Sequence, residues 1–219
     1  MKFKDLRERV PEKLFGILSE EIGDLRPCQI KAIDDGLLVG ENLLVCTPTA
    51  SGKTLIAEIA LIKNILEGKG KGVYIVPLKA LAREKYKDFK TRYGSLCKVA
   101  LSMGDMDKGD GYLSDFDLII TTSEKLDSLI RHRAPWLNKI GTIVVDEVHL
   151  LNDAGRGPTL EILLTILKSI LKAQIIALSA TIGNPEELAK WLEAKLVIDD
   201  WRPVELKKGI YLDGKVEFY

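Results

Sequence analysis

The sequence predicts an α/β domain in which one parallel sheet of about seven strands carries helices on both faces. Three observations lead there. Short apolar runs rich in β-branched residues alternate along the chain with longer segments whose apolar residues recur at helical spacing. The segments between the runs are long enough for the crossover helices that parallel strands require. At 219 residues, 46% of them hydrophobic, and with no internal repeat or low-complexity run, the chain can bury one sizeable core.

The elements follow in order. The first twenty-one residues, MKFKDLRERVPEKLFGILSEE, read as a charged helical segment, and a helix is expected over about 27–38. Leu43, Leu44, Val45 and Cys46 form a short apolar run that reads as a buried strand, and it is followed by a helical pattern over 53–66. Further strands are expected at 73–76, near Ala100, at 118–120, at 143–145, at 175–178 and near Val197. Residues 1–200 are expected to form the domain, and 201–219 to begin a connection to something beyond it.

Composition narrows the setting. Thirty-two basic residues balance thirty-two acidic ones, so a polyanion partner must be met by local rather than net charge. The segment 79–92 concentrates Arg83, Lys85, Lys87, Lys90 and Arg92 and is the place to expect it. Cys28, Cys46 and Cys97 show neither CxxC spacing nor His partners, which argues against zinc or a disulfide framework and for a reducing compartment. The N-terminus is too charged for a signal peptide and no apolar run reaches the roughly 18 residues of a membrane helix, so a soluble, cytoplasmic protein without a membrane partner is expected.

The chemistry is concentrated in TPTASGKT, 47–54. A triphosphate needs backbone N–H groups aimed inward and the positive end of a helix dipole behind them, and a strand, a Gly-containing loop and a helix supply both. Thr47, Pro48, Thr49, Ala50, Ser51 and Gly52 would wrap the phosphates. Lys53 would reach the β and γ oxygens as a point charge, and Thr54 would offer its hydroxyl to Mg²⁺. The usual pattern opens with Gly five residues before Gly52; here that position is Thr47. A helix start that merely caps itself with Ser and Thr would look similar up to this point.

The second half of the signal is Asp146-Glu147-Val148-His149, directly after the run 143–145. In open parallel sheets ligands bind at the C-terminal ends of strands, where these two acids fall. Asp146 would hold Mg²⁺ through its water shell, and Glu147 would orient and partly deprotonate the water that attacks the γ-phosphate. Ser179 and Thr181 follow the run 175–178, and their hydroxyls could bond Asp146 or His149 from a neighbouring strand.

With DEVH at 146–149 and SAT at 179–181, the chain resembles the superfamily-two helicases of DExH type over nearly its whole length. DEVHLL, RGPTLE at 156–161 and DWRPVEL at 200–206 resemble the superkiller-related branch, and within it the archaeal DNA repair helicases. The resemblance implies a RecA-like motor domain using ATP and Mg²⁺. Gln29, in Arg26-Pro27-Cys28-Gln29, resembles the Gln of the family's Q motif that reads adenine, although a plain surface Gln on a helix would show the same spacing. His149 is implied to couple hydrolysis to movement. Pro77, Leu78, Lys79 and Ala80 resemble motif Ia, and Thr121, Thr122 and Ser123 motif Ib, both of which grip a single strand's backbone. The branch implies 3′ to 5′ movement on single-stranded or branched DNA such as stalled forks. RNA stays open, because relatives in the branch act on it. A second RecA-like domain in cis, supplying an arginine finger, is also implied, and only the first is expected within these residues. Arg156 could pair with an acid near the nucleotide or face the nucleic acid.

Overall fold

The computed structural model describes residues 1–104, 110–204, 207 and 209–218. The seven expected apolar runs all become strands: β1 (Leu43–Cys46), β2 (Lys71–Val76), β3 (Val99–Ser102), β4 (Leu118–Thr122), β5 (Ile140–Val145), β6 (Gln174–Ser179) and β7 (Lys195–Ile198). They form one sheet in the order β3-β4-β2-β5-β6-β1-β7, and every neighbouring pair is parallel. Among the described residues seven α-helices accompany them: α1 (Glu12–Glu21), α2 (Pro27–Asp34), α3 (Lys53–Leu66), α4 (Lys79–Tyr93), α5 (Ser123–Arg131), α6 (Gly157–Ile170) and α7 (Pro185–Leu192).

Each strand divides its side chains between two cores, because successive residues point to opposite faces. Leu43, Val45, Tyr74, Val76, Ile120 and Ile176 pack with α1 to α4. Leu44, Cys46, Val73, Ile75, Ile143 and Val145 pack with α5 to α7. Burial on both faces explains why the strands read as unbroken apolar runs rather than alternating ones.

Buried polar pairing fixes α3 on the sheet. Asn64 Nδ2 donates to Thr142 Oγ1 and to Gln174 Oε1, both at 2.8 Å, tying the far end of that helix to β5 and β6. At the start of α5, Thr122 Oγ1 accepts from the Lys125 N–H, a side-chain N-cap.

Two expectations change. The helix predicted over about 27–38 stops at Asp34, because Gly36 turns left-handed (φ +102°) and the chain continues as a 3-10 turn, Leu37–Val39. Beyond 200, where only a connection is expected, lies an antiparallel hairpin, β8 (Gly209–Leu212) and β9 (Lys215–Phe218). Asp213 and Gly214 both take positive φ between its strands, the two-residue Asp-Gly turn that matches strand twist. Ile210, Tyr211, Leu212 and Phe218 are largely exposed on it.

Candidate nucleotide site

The loop after β1 is braced from inside. The Thr47 N–H donates to the Ser179 carbonyl at 3.3 Å, extending the pairing of β1 with β6 one step past the strands. Thr47 is fully buried, and its hydroxyl shares a 2.7 Å hydrogen bond with that of Ser51. Within the loop only Ala50 (φ +63°) and Gly52 (φ +93°) are left-handed, so the position Thr47 occupies needs no glycine. Gly52 is different: a Cβ there would lie 2.5 Å from Gln29 Nε2 and 2.9 Å from Arg26 Cδ. Lys53, only 8% exposed, donates through Nζ to the Ser179 carbonyl at 3.0 Å.

The outer wall of the loop is held by the start of α2. Arg26 Nη1 donates to the Ala50 carbonyl at 2.5 Å, the Cys28 thiol to that of Ser51 at 3.3 Å, and Gln29 Nε2 to that of Gly52 at 2.9 Å. Gln29 Oε1 accepts the Arg26 N–H. The amide of Gln29 is thus engaged at both ends by backbone, with one further hydrogen and one further lone pair left for a base. A cleft of about 390 Å³ opens beside it, lined by Arg26, Gln29, Gly52, Thr54 and Glu58. Pro48 is buried, Thr49 and Ala50 are exposed, and the Thr54 hydroxyl makes no hydrogen bond among the described residues.

The acids lie two strands away on the same edge. The Asp146 N–H donates to the Ile75 carbonyl at 2.9 Å, and its carboxylate accepts the Tyr74 hydroxyl at 2.8 Å and the Glu147 N–H at 3.0 Å. Burial, and then the charge of Asp146, push the Tyr74 phenol well above its ordinary range, which keeps it a donor. Glu147 is held left-handed at φ +53°, a strained backbone for a residue with a Cβ. His149 Nδ1 stands 3.3 Å from Glu147 Oε2 and 3.4 Å from the Ala180 nitrogen. It can donate to the carboxylate or accept from the N–H, depending on which ring nitrogen carries the proton.

Loop and acid turn therefore meet on one short segment: Lys53 on the carbonyl of Ser179, His149 on the N–H of Ala180. The expected side-chain bonds from this segment are not made. Ser179 Oγ is buried without a hydrogen-bond partner among the described residues. Thr181 is exposed and makes no side-chain hydrogen bond among the described residues.

Of the two segments expected to face a strand, the one after β2 is open: Leu78, Lys79 and Ala80 are exposed and Pro77 half-buried. At the junction of β4 and α5, Thr121, Thr122 and Ser123 are buried, and the hydroxyl of Thr122 is the cap of α5. The basic segment on α4 is also partly committed. Arg92 pairs with Glu58 at 2.7 Å and Glu21 at 2.6 Å, so it serves the fold rather than an external anion.

The family model of the DEAD/DEAH box helicases matches residues 26–188. The chain belongs to that family. Among relatives, the ATP-dependent DNA helicase Hel308 of Methanocaldococcus jannaschii is 57% identical over 215 residues, covering 94% of this chain and 18% of that protein. Hel308 of Pyrococcus abyssi is 54% identical over 208 residues, covering 94% and 29%, and that of Pyrococcus horikoshii 50% over 217 residues, covering 99% and 30%. The chain thus spans less than a third of the length of these curated relatives. A crystal structure of the DUF1998 helicase MrfA bound to DNA matches with a TM-score of 0.74 at 26% identity, over 88% of this chain and 30% of that one. The RecA-like α/β fold expected of a helicase motor domain is the one found.

Tyr74 and the Ser179 carbonyl are the parts of this helicase site that the sequence did not reveal. A tyrosine inside an otherwise aliphatic strand was the available signal for the first; a backbone oxygen leaves none. No helix among the described residues is long and apolar enough to cross a membrane.

Proposed function

We propose that the chain is the first motor domain of an ATP-dependent DNA helicase that moves 3′ to 5′ and acts on single-stranded or branched repair intermediates such as forks. The observation that carries this reading is the meeting of Lys53 and the acid turn on Ser179 and Ala180 at one edge of one sheet. The residues present fit ATP·Mg²⁺. Gly52 lets the loop pack against Gln29 and Arg26, where a Cβ would collide, and Lys53, Thr54 and Asp146 supply a cation, a hydroxyl and a carboxylate. Among the described residues no three His, Cys, Asp or Glu side chains gather to hold a metal, so a hard cation held here takes its other oxygens from phosphate and water.

Bound Mg²⁺ supplies neutralisation of charge on the β and γ phosphates. The loop N–H groups and Lys53 bind and orient the phosphates, while Thr54 and Asp146 face the cation. Tyr74 and the Glu147 N–H hold the Asp146 carboxylate in place. Glu147 would position the attacking water and draw its proton, with His149 Nδ1 within reach of either that carboxylate or the Ala180 N–H according to its tautomer. Gln29 reads the adenine edge from the cleft. The segments 77–80 and 121–123 grip the strand's backbone, and the naming of the relatives as DNA helicases, together with a DNA-bound structural match, favours DNA over RNA. Residues 201–219 would begin the connection to a second RecA-like domain, whose arginine finger would be worth on the order of 10³ to 10⁵ in rate. The buried, unpaired thiols agree with a reducing cytoplasm.

The test has two arms. This chain should bind a fluorescent ADP with Mg²⁺ and hydrolyse ATP negligibly; Lys53→Ala should weaken binding at least about tenfold, as loss of a charge-assisted contact does, and undiminished affinity would refute the loop assignment. In the protein carrying both motor domains, Glu147→Gln should keep binding and lose hydrolysis. ATPase stimulated there by single-stranded RNA but not by single-stranded or forked DNA would overturn the choice of polymer.

A further inference from the structure

Arg156 is the residue the nucleotide site leaves unused. The chain reaches it from the acid turn through the 3-10 turn Val148–Asn152. Asp153 Oδ1 then accepts the N–H groups of Gly155 and Arg156, each at 2.9 Å. The next residue, Gly157, packs so closely that a Cβ would lie 2.1 Å from the Leu151 carbonyl. Arg156 is therefore fixed in place at the head of α6, where it shares a water-sized cavity of about 10 Å³ with Pro77, Ser123, Asp146 and Glu147.

Arg156 is half-buried as a residue, and its guanidinium makes no hydrogen bond or ion pair among the described residues. Of the acids around it, Asp146 accepts from Tyr74 and the Glu147 N–H, and Asp153 accepts the Gly155 and Arg156 N–H groups; among the described residues none pairs with the guanidinium. Other cations of this region are also taken: Lys125 by Asp110, Arg131 by Asp127, and Arg92 by Glu58. Lys79, two residues past Pro77, is exposed and makes no ion pair. A guanidinium carries five donors in a planar fork that suits phosphate oxygens, and leaving it partly desolvated and unpaired is costly.

We infer that Arg156 is a phosphate ligand for the nucleic-acid strand, seated between the turn after β2 and the junction of β4 and α5 and acting with Lys79. This rests on the strand-binding part of the proposed function. Because the hydroxyls of Thr121, Thr122 and Ser123 are buried, Arg156 supplies the side-chain contact on that side of the path and leaves to 121–123 a grip through backbone groups. Its place beside Asp146 and Glu147 puts strand contact and acid turn against one cavity.

The test is anisotropy of a labelled oligothymidylate with this chain across a salt series. Wild type should bind, with affinity falling linearly in log salt. Arg156→Ala should weaken binding roughly threefold to tenfold and make the slope shallower by about 0.7, the loss of one single-strand phosphate contact. Arg156→Lys should restore most of the slope, and a melting curve confirms that each variant is folded. An unchanged slope in a folded Arg156→Ala chain, with nucleotide affinity falling instead, would mean that the guanidinium serves the acids and would overturn the inference alone. Absence of any oligothymidylate binding by wild type would overturn the strand-binding reading and this inference with it.

Discussion

Tyr74 shows how a single hydroxyl extends a motif into its surroundings. It reaches Asp146 from the neighbouring strand while its ring packs edge-on to Phe89 at 5.5 Å, so the acid is aimed by a residue that is itself locked in the core. Tyr74→Phe keeps the ring and removes the bond. It should cost about 1.5 kcal/mol, the lower end for a hydrogen bond to a charged group, because Asp146 is partly exposed and water can replace the donor. Urea unfolding measures it, and an unchanged midpoint would show that the bond contributes nothing. At this scale the loop residues 47–54 and the acids 146 and 147 were legible, because cradle, cation and carboxylates need particular side chains at particular distances. The joint at Ser179 and Ala180 was not, since it is made by main-chain atoms that every residue type possesses.

Among the elements, α2 and β7 are linked by an ion pair that bears on the site. Lys31 Nζ lies 2.8 Å from Asp199 Oδ2, and α2 also carries Arg26, Cys28 and Gln29 against the phosphate loop. Burial works against ionising Asp199, but hydrogen bonds from Lys31 and the Trp201 N–H outweigh it and hold the carboxyl below the usual carboxylate range. A carboxyl depressed in the folded state contributes stability above its unfolded pKa of about 4 and loses it as pH falls through the folded value. Melting temperatures of wild type and Asp199→Asn should therefore differ most above about pH 5 and converge only as pH falls well below about 4, through the folded value; a gap that stays constant down to about pH 2 would refute the linkage. Glu58 has the opposite sign: burial raises its pKa despite the bonds from Tyr93 and Arg92, so its share of stability is greatest at low pH and falls as pH rises. That is why the comparison uses a variant rather than wild type alone. Strands were legible because burial on two faces demands apolar runs, whereas the stop of α2 at Gly36 and the β8–β9 hairpin were missed. Both turn on left-handed glycines, and a lone glycine signals a stop only where the backbone turns left-handed.

For the whole molecule, layer count and strand number could be read ahead, but the order β3-β4-β2-β5-β6-β1-β7 could not, because crossover length does not say which strands are skipped. Strand β1, which launches the phosphate loop, has only β6 and β7 as neighbours. Strands β2 to β5 pair among themselves without it. A chain ending at Lys172 should therefore retain parts of the sheet yet show no measurable binding of fluorescent ADP with Mg²⁺; binding comparable to the 219-residue chain would show that β1 and its loop can organise without β6. The same placement bears on synthesis. As the polypeptide leaves the ribosome, the segment proposed to hold phosphates waits, unmated, from the emergence of Leu43 until the residues from Gln174 onward have followed it. Over that interval β1 is an apolar strand without its partners, so the proposed nucleotide site is completed in one step, with β6, rather than growing with length.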